Sequence, residues 1–265
     1  MIVKSLNRIS ILGLVVLLWA CTPKKNQLAS QIEDLQTAEN QNGETKKQLA
    51  ELQEKYATDY PDDSVSQYYL ENAAIYQHLT DNGEKAIELT RVYLGRYPDS
   101  ENKQVLLINM AKSYESLGKP DSSLAYFEKA ISNGVVPVGD MRVMGRVLRE
   151  RIGDANNPDQ AKDLMKYAGI VEQTMGPTEA IPYYERLYTD FPKTEYAPYA
   201  MMKHENILED KRQIEEAKLL LNRIIEEYPD TRFAQDAQSM LDNDLLGKSA
   251  EEQLQILLNK QKQAQ

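Results

Sequence analysis

Hydrophobic positions along this chain follow three different patterns. Residues 9–19 form an apolar run, with Ser10 its one polar residue. Residues 26–59 are polar and rich in Gln, Glu and Lys. Within them Leu28, Ile32 and Leu35, then Leu49 and Tyr56, hold one coiled-coil register, which Glu39, Asn42 and Lys46 interrupt. From Tyr60 onward, apolar and small residues recur at three- and four-residue spacing between short polar breaks, as amphipathic helices require. The spacing predicts helices over 64–80, with Tyr68, Tyr69, Ala73, Ala74 and Tyr76 as a packing face, and over 84–96. Further helices are expected over 141–152, 159–175, 196–208, 213–228 and 233–241. Asn40–Gly43, Asn82-Gly83, the stretch 135–140 (ending in Asp140 as a helix cap) and 153–158 supply the breaks. The prediction is all-α.

The segment 114–131, YESLGKPDSSLAYFEKAI, organises the rest. Ala111, Tyr114, Leu117 and Gly118 precede a turn at Gly118-Lys119-Pro120, and Phe127 and Ala130 follow it. Small residues here stand where two antiparallel helices pack closely, and the arrangement resembles the tetratricopeptide (TPR) repeat, with Ser123 where that family usually has Ala. Partial copies lie on both sides: Ala86 with Tyr97-Pro98, Ala180 with Phe191-Pro192, and Ala217 with Tyr228-Pro229. Pro61 and Pro98 are 37 residues apart, as are Pro192 and Pro229, slightly more than the roughly 34 residues of the standard repeat. Proline stops the second helix of a unit, and the Ser, Thr or Asp after it suits a cap for the next. The expected organisation is a leader at 1–20, a polar helical tether of two short helices at 21–60, a TPR solenoid at 61–245, and a C-terminal helix at 246–265 that covers the exposed end of the core. Ser249 and Glu252 have the form of a capping box at the start of that helix.

The apolar run is preceded by Lys4 and Arg8 and followed by Ala20-Cys21, a secretory leader too short for a comfortable membrane span. Leu18-Trp19-Ala20-Cys21 resembles a bacterial lipobox, which implies lipidation of Cys21 and anchoring to a membrane. An ordinary signal peptide that happens to end in Cys is the alternative. Thr22-Pro23-Lys24-Lys25 carries no acid, which by lipoprotein sorting rules implies the outer membrane and a periplasm-facing protein. Cys21 is the only cysteine, so no intramolecular disulfide can form.

A 42% hydrophobic and 27% charged composition suits a soluble helical chain with enough apolar surface for a continuous core. The formal charge is −10; without the leader, 29 basic residues face 41 acidic ones. That balance repels phosphate and speaks against nucleic-acid partners. Sixteen tyrosines against three phenylalanines suit both TPR packing positions and wet binding surfaces.

Three arginines, Arg142, Arg146 and Arg149, lie at helical spacing with Arg151 nearby, while Val143, Val147 and Leu148 suit the core side. Such a stripe either grips acidic peptide segments by bidentate hydrogen bonds or is a solvated face paired with neighbouring acids. Gly247-Lys248-Ser249 imitates the end of a phosphate-binding loop, but Asp242 stands where the loop needs its first glycine. The histidines, His78 and His204, fall on different repeats and are read as surface or groove residues, without a ligand cluster at metal-site spacing. No nucleophile motif is present. The expectation is a non-enzyme with neither cofactor nor metal.

Phe191-Pro192-Lys193-Thr194-Glu195-Tyr196-Ala197 and Tyr228-Pro229-Asp230-Thr231-Arg232-Phe233-Ala234, behind a lipobox and a tether, resemble envelope lipoproteins of the BamD (YfiO) type over roughly residues 60–241. The resemblance implies a lipid-anchored scaffold that holds a component of the outer-membrane β-barrel assembly machinery. The cell-division coordinator CpoB (YbgF) shares the repeat style behind a longer coiled coil. Its likeness implies instead an envelope-organising or cell-division adaptor. A regulatory subunit of a periplasmic peptidoglycan enzyme is a third expectation. The oligomeric state stays open.

Overall fold

The structure, a computed structural model, describes residues 24–40 and 42–263. Cys21 and the leader lie outside the described residues. Among the described residues the chain forms thirteen α-helices and no strand. It divides into two compact units, Met1–Val135 and Val136–Gln265.

The first unit holds α1 (Lys24–Gln36), α2 (Gly43–Asp59), α3 (Ser66–Leu79), α4 (Gly83–Arg96), α5 (Lys103–Ser116) and α6 (Pro120–Ile131). Each helix packs on the next, and α3 also touches α5 across the hairpin between them. This is the neighbour-only packing of a repeat array. Its small residues set the spacing: Ala50, Ala57, Ala73 and Ala74 are buried together with Leu70, Leu89, Tyr93 and Leu106. Tyr93 is fully buried, and its hydroxyl keeps polar partners in Gln67, Glu71 and Ser100. Gly118, at φ 65, turns the chain out of α5, and Pro120 opens α6 at a position where the missing N–H costs nothing. Tyr68, expected on the packing face of α3, is 56% exposed; Leu70 and Gln77 take its place beside Ala73 and Ala74.

The tether expected at 21–60 differs most from what folds. Its described residues do not stand apart as a spacer. Leu28 and Ile32 of α1 meet Leu49 and Tyr56 of α2 in a buried cluster that extends to Tyr69 and Tyr76 of α3. Tyr56 meets Tyr69 edge to face at 5.0 Å. The broken coiled-coil seam thus closes on itself within one chain. The Asn42 side chain accepts a hydrogen bond from the Thr45 amide at 2.9 Å and so starts α2. Lys25 of α1 pairs with Asp63, just before α3.

The second unit holds α7 (Val138–Gly153), α8 (Gln160–Thr174), α9 (Pro177–Asp190), α10 (Tyr196–Asp210), α11 (Ile214–Glu227), α12 (Arg232–Asp242) and α13 (Ala250–Gln263). From α7 to α12 each helix packs on its successor, with α8 touching α10 and α10 touching α12. Leu148, Leu164, Leu187, Ala200, Met201, Leu221 and Ala237 are buried in this unit. Asp140, expected as a cap, lies inside the first turn of α7, which starts after Pro137. The threonines after the prolines close the preceding helix: the hydroxyls of Thr194 and Thr231 donate to the carbonyls of Phe191 and Tyr228, both at 2.8 Å. Thr231 also caps α12, accepting from the Ala234 amide, whereas Thr194 caps nothing ahead of it.

The expectation of a covering helix at 246–265 fails at α13. The capping box forms, with the Ser249 amide donating to the Glu252 carboxylate at 2.7 Å. Yet no residue of α13 is buried, and Leu254, Leu257 and Leu258 are exposed. Leu254, Leu257 and Leu258 share one face at i, i+3 and i+4, but that single turn of apolar surface stays exposed.

Candidate partner-binding site

The repeat-signature residues are occupied with folding. Ala86, Ala111, Tyr114, Phe127, Ala130, Ala180 and Ala217 are buried, and Pro98, Pro192 and Pro229 sit in exposed inter-helix turns. They fix the helix spacing and leave recognition to side chains on the outer faces.

The arginine stripe is on such a face. Val147, Leu148 and Ile152 of α7 are buried, Val143 is half-buried, and Arg142, Arg146 and Arg149 are all exposed. Arg149 lies at the hydroxyl of Tyr167 on α8. Burial and the neighbouring Tyr183 push that hydroxyl's pKa up, and the Arg149 charge partly offsets them. Tyr167 meets Tyr183 of α9 edge to face at 5.0 Å. The stripe is therefore continuous with a tyrosine pair: cationic forks beside rings with a polar edge.

Arg151 does not join it. Its Nε donates to Asp163 of α8 at 2.8 Å, and Asn157 donates to the same carboxylate oxygen at 2.8 Å. Asp163 is almost fully buried, so this pair clamps α7 to α8 across the break at 153–158. The clamp explains how a helix that matches no repeat is retained in the array.

Further polar groups link the next helices. The buried Tyr184 hydroxyl of α9 donates to Glu172 of α8, and the Lys203 ammonium of α10 lies 3.3 Å from the same carboxylate. Burial and that carboxylate raise the Tyr184 pKa. His204, read from the sequence as a surface or groove residue, is buried instead, with its Nδ1 3.0 Å from the Tyr188 hydroxyl. Burial lowers its pKa and pushes that of Tyr188 up to about 12. Arg223 lies over the Tyr188 ring at 5.3 Å and pairs with Glu227. His78 is half-buried, its Nδ1 2.9 Å from the Ser113 hydroxyl. These groups hydrogen-bond or ion-pair with one another. Among the described residues, no group of three His, Cys, Asp or Glu side chains suits a metal ion.

Sequence reasoning missed one buried acid. Glu205 of α10 is fully buried, and neither carboxylate oxygen has a hydrogen-bond partner. Burial first, then the charges of Glu209 and Asp210, raises its pKa to about 8. The signal was available: Met201, Glu205 and Leu208 lie at i, i+4 and i+7, one face of one helix.

Models of the tetratricopeptide repeat match residues 106–133, on α5 and α6, and residues 205–231, on the end of α10 and on α11. No curated protein is similar enough to count as a match. Among solved structures the chain is similar to YrrB, a TPR protein with an unusual peptide-binding site, at 15% identity over 72% of this chain and 99% of that one, TM-score 0.33. A tetratricopeptide repeat protein from Parabacteroides merdae matches at 15% identity over 82% and 73%, TM-score 0.31. The TPR2AB domain of yeast Sti1, solved in complex with pHSP90, matches at 15% over 88% and 96%, TM-score 0.32. With the two repeat matches falling on consecutive packed helices, the fold is an all-α array of tetratricopeptide-type helical hairpins.

Proposed function

We propose that this protein is a lipid-anchored scaffold of the bacterial outer membrane, facing the periplasm through Cys21, which holds a protein partner during β-barrel outer-membrane protein assembly. Proteins built from tetratricopeptide repeats bind other proteins, and the repeats matched at 106–133 and 205–231 support that role here. The observation that carries the reading is the exposed stripe of Arg142, Arg146 and Arg149 beside Tyr167 in a chain of net charge −10. A guanidinium fork binds a carboxylate with two parallel hydrogen bonds, which gives register as well as attraction. Tyrosine and arginine are also the side chains on which interface energy concentrates. The acidic remainder of the surface repels unsuitable acidic proteins.

The test is crosslinking and pull-down of the native lipoprotein from membranes, alongside Cys21→Ala and the triple variant Arg142→Glu/Arg146→Glu/Arg149→Glu. Barrel-assembly proteins are expected with the wild type and lost with both variants. Recovery of division or peptidoglycan proteins instead overturns the assembly role in favour of an envelope adaptor or enzyme regulator. Unchanged recovery with the triple variant removes the stripe from the mechanism. Membrane fractionation of Cys21→Ala identical to wild type removes the anchor.

A further inference from the structure

The first unit carries a second cationic surface, built from three helices and unrelated to α7. A cleft of about 440 Å³ opens between α4, α5 and α6. Its floor is apolar and buried: Leu107 is 3% and Met110 1% exposed. Its rim carries Arg91, Lys103 and Lys129, and no carboxylate lines it. The volume lies within the range of roughly 300–1,000 Å³ usual for ligand pockets.

The charges on this rim differ from the ion-paired lysines of the unit. Lys25, Lys55 and Lys85 are each held by an acid, Asp63, Asp59 and Glu54. Among the described residues Arg91, Lys103 and Lys129 have no carboxylate partner. Two of them are held by uncharged groups instead. The Arg91 guanidinium donates to the Tyr114 hydroxyl, and the Lys129 ammonium lies 4.4 Å from the centre of the Tyr126 ring. Tyr114 and Tyr126 stack on each other at 5.3 Å with an interplanar angle of 14°. One aromatic pair thus fixes the positions of two cations without neutralising either. A like-charged cluster left unneutralised in an acidic protein raises its own energy, and an incoming anion relieves it.

We propose that this cleft receives an acidic peptide segment of a partner protein: Arg91, Lys103 and Lys129 bind its carboxylates, and the half-buried Leu94 and Tyr126 take an adjoining aliphatic side chain. The apolar wall distinguishes this from a simple anion site, since inorganic phosphate would leave the exposed parts of Leu94 and Tyr126 uncovered. Charge sets the sign of the ligand, and the wall sets its class. The site extends the scaffold reading to a second surface. It requires neither the α7 stripe nor the lipid anchor.

The experiment is fluorescence anisotropy with the full-length protein and a labelled peptide in which leucines alternate with Asp and Glu. A peptide with Asn and Gln in place of the acids serves as comparison. Lys103→Glu/Lys129→Glu is expected to weaken binding at least about tenfold, because charge-assisted contacts become repulsive. Lys211→Glu/Lys218→Glu, with the same change in net charge but in the second unit, should bind as the wild type does. Circular dichroism melting confirms that both pairs fold. Leu94→Ser, which removes apolar surface from the wall without changing charge, should weaken the acidic peptide but leave weak competition by inorganic phosphate unaltered. The proposal is overturned if the two lysine pairs behave alike, if the amide peptide binds equally well, or if phosphate competes as strongly as the peptide. Binding that survives Arg142→Glu/Arg146→Glu/Arg149→Glu, whatever the pull-down shows, keeps this cleft separate from the proposed assembly role.

Discussion

Glu205 is the residue with the largest stake in pH. Its folded-state pKa lies near 8, above the value of 4.5 for a free glutamate, so the folded protein holds a proton that the unfolded chain gives up. Folding stability from this group is therefore fully present below about pH 4.5, declines as pH rises, and levels off above about pH 8. Glu205→Gln keeps the shape and removes the ionisation. We expect urea unfolding of the wild type to lose stability relative to the variant between those two pH values, by an amount on the order of 3 kcal/mol. A wild type and variant with parallel pH profiles would show that the carboxylate is solvated in the folded state. His204, the preceding residue, has its pKa lowered by burial, so its own contribution runs the other way, rising with pH up to its unfolded value of 6.5; it is present in both proteins and cancels in their difference.

At the scale of helices, the α1–α2 hairpin makes the clearest claim. Ile32 is fully buried against Leu49 and Tyr56. Ile32→Ala should cost about 2–4 kcal/mol in denaturant unfolding of the first unit, as truncation of a buried aliphatic does. In a solvated tether the same change would cost almost nothing, and a near-zero loss would restore the spacer reading. The misreading has a physical origin. Two helices with only a few apolar residues each look too polar to fold, but paired face to face they need only one narrow seam, and α3 supplies the third wall. The repeat hairpins themselves were legible, because proline, glycine and alanine act locally: Pro98 and Pro229 stop helices, Gly118 takes a positive φ, and Ala111 and Ala130 permit close approach. The capping box of α13 was legible for the same reason, whereas its failure to pack was not, since that depends on what lies opposite. The α4–α6 cleft left no mark in the sequence. Arg91, Lys103 and Lys129 share no motif and meet only after three helices have packed. The arginines of α7 were visible as one stripe by their spacing, but the inward turn of Arg151 needed Asp163 to be placed.

For the whole molecule, charge decides more than shape. A chain of net charge −10 that gathers arginines on α7 presents its partner with local attraction inside a repulsive surround. Such binding should be strongly salt-dependent. Partner retained on the immobilised protein at about 0.1 M salt, where the screening length is about 10 Å, should elute as salt approaches about 1 M, where it falls to about 3 Å. Retention that is indifferent to salt would point to an apolar interface and away from the stripe.

The folding-away of α1 and α2 also changes how far the protein can reach. On the anchor reading, Cys21 sits in the membrane surface, and α1 begins at Lys24. An extended chain advances about 3.5 Å per residue, so the intervening leash is about 10 Å long at most. With Leu28 and Ile32 locked into the hairpin, no further slack can be drawn from the segment that follows. On that reading the first unit is moored close against the lipid headgroups.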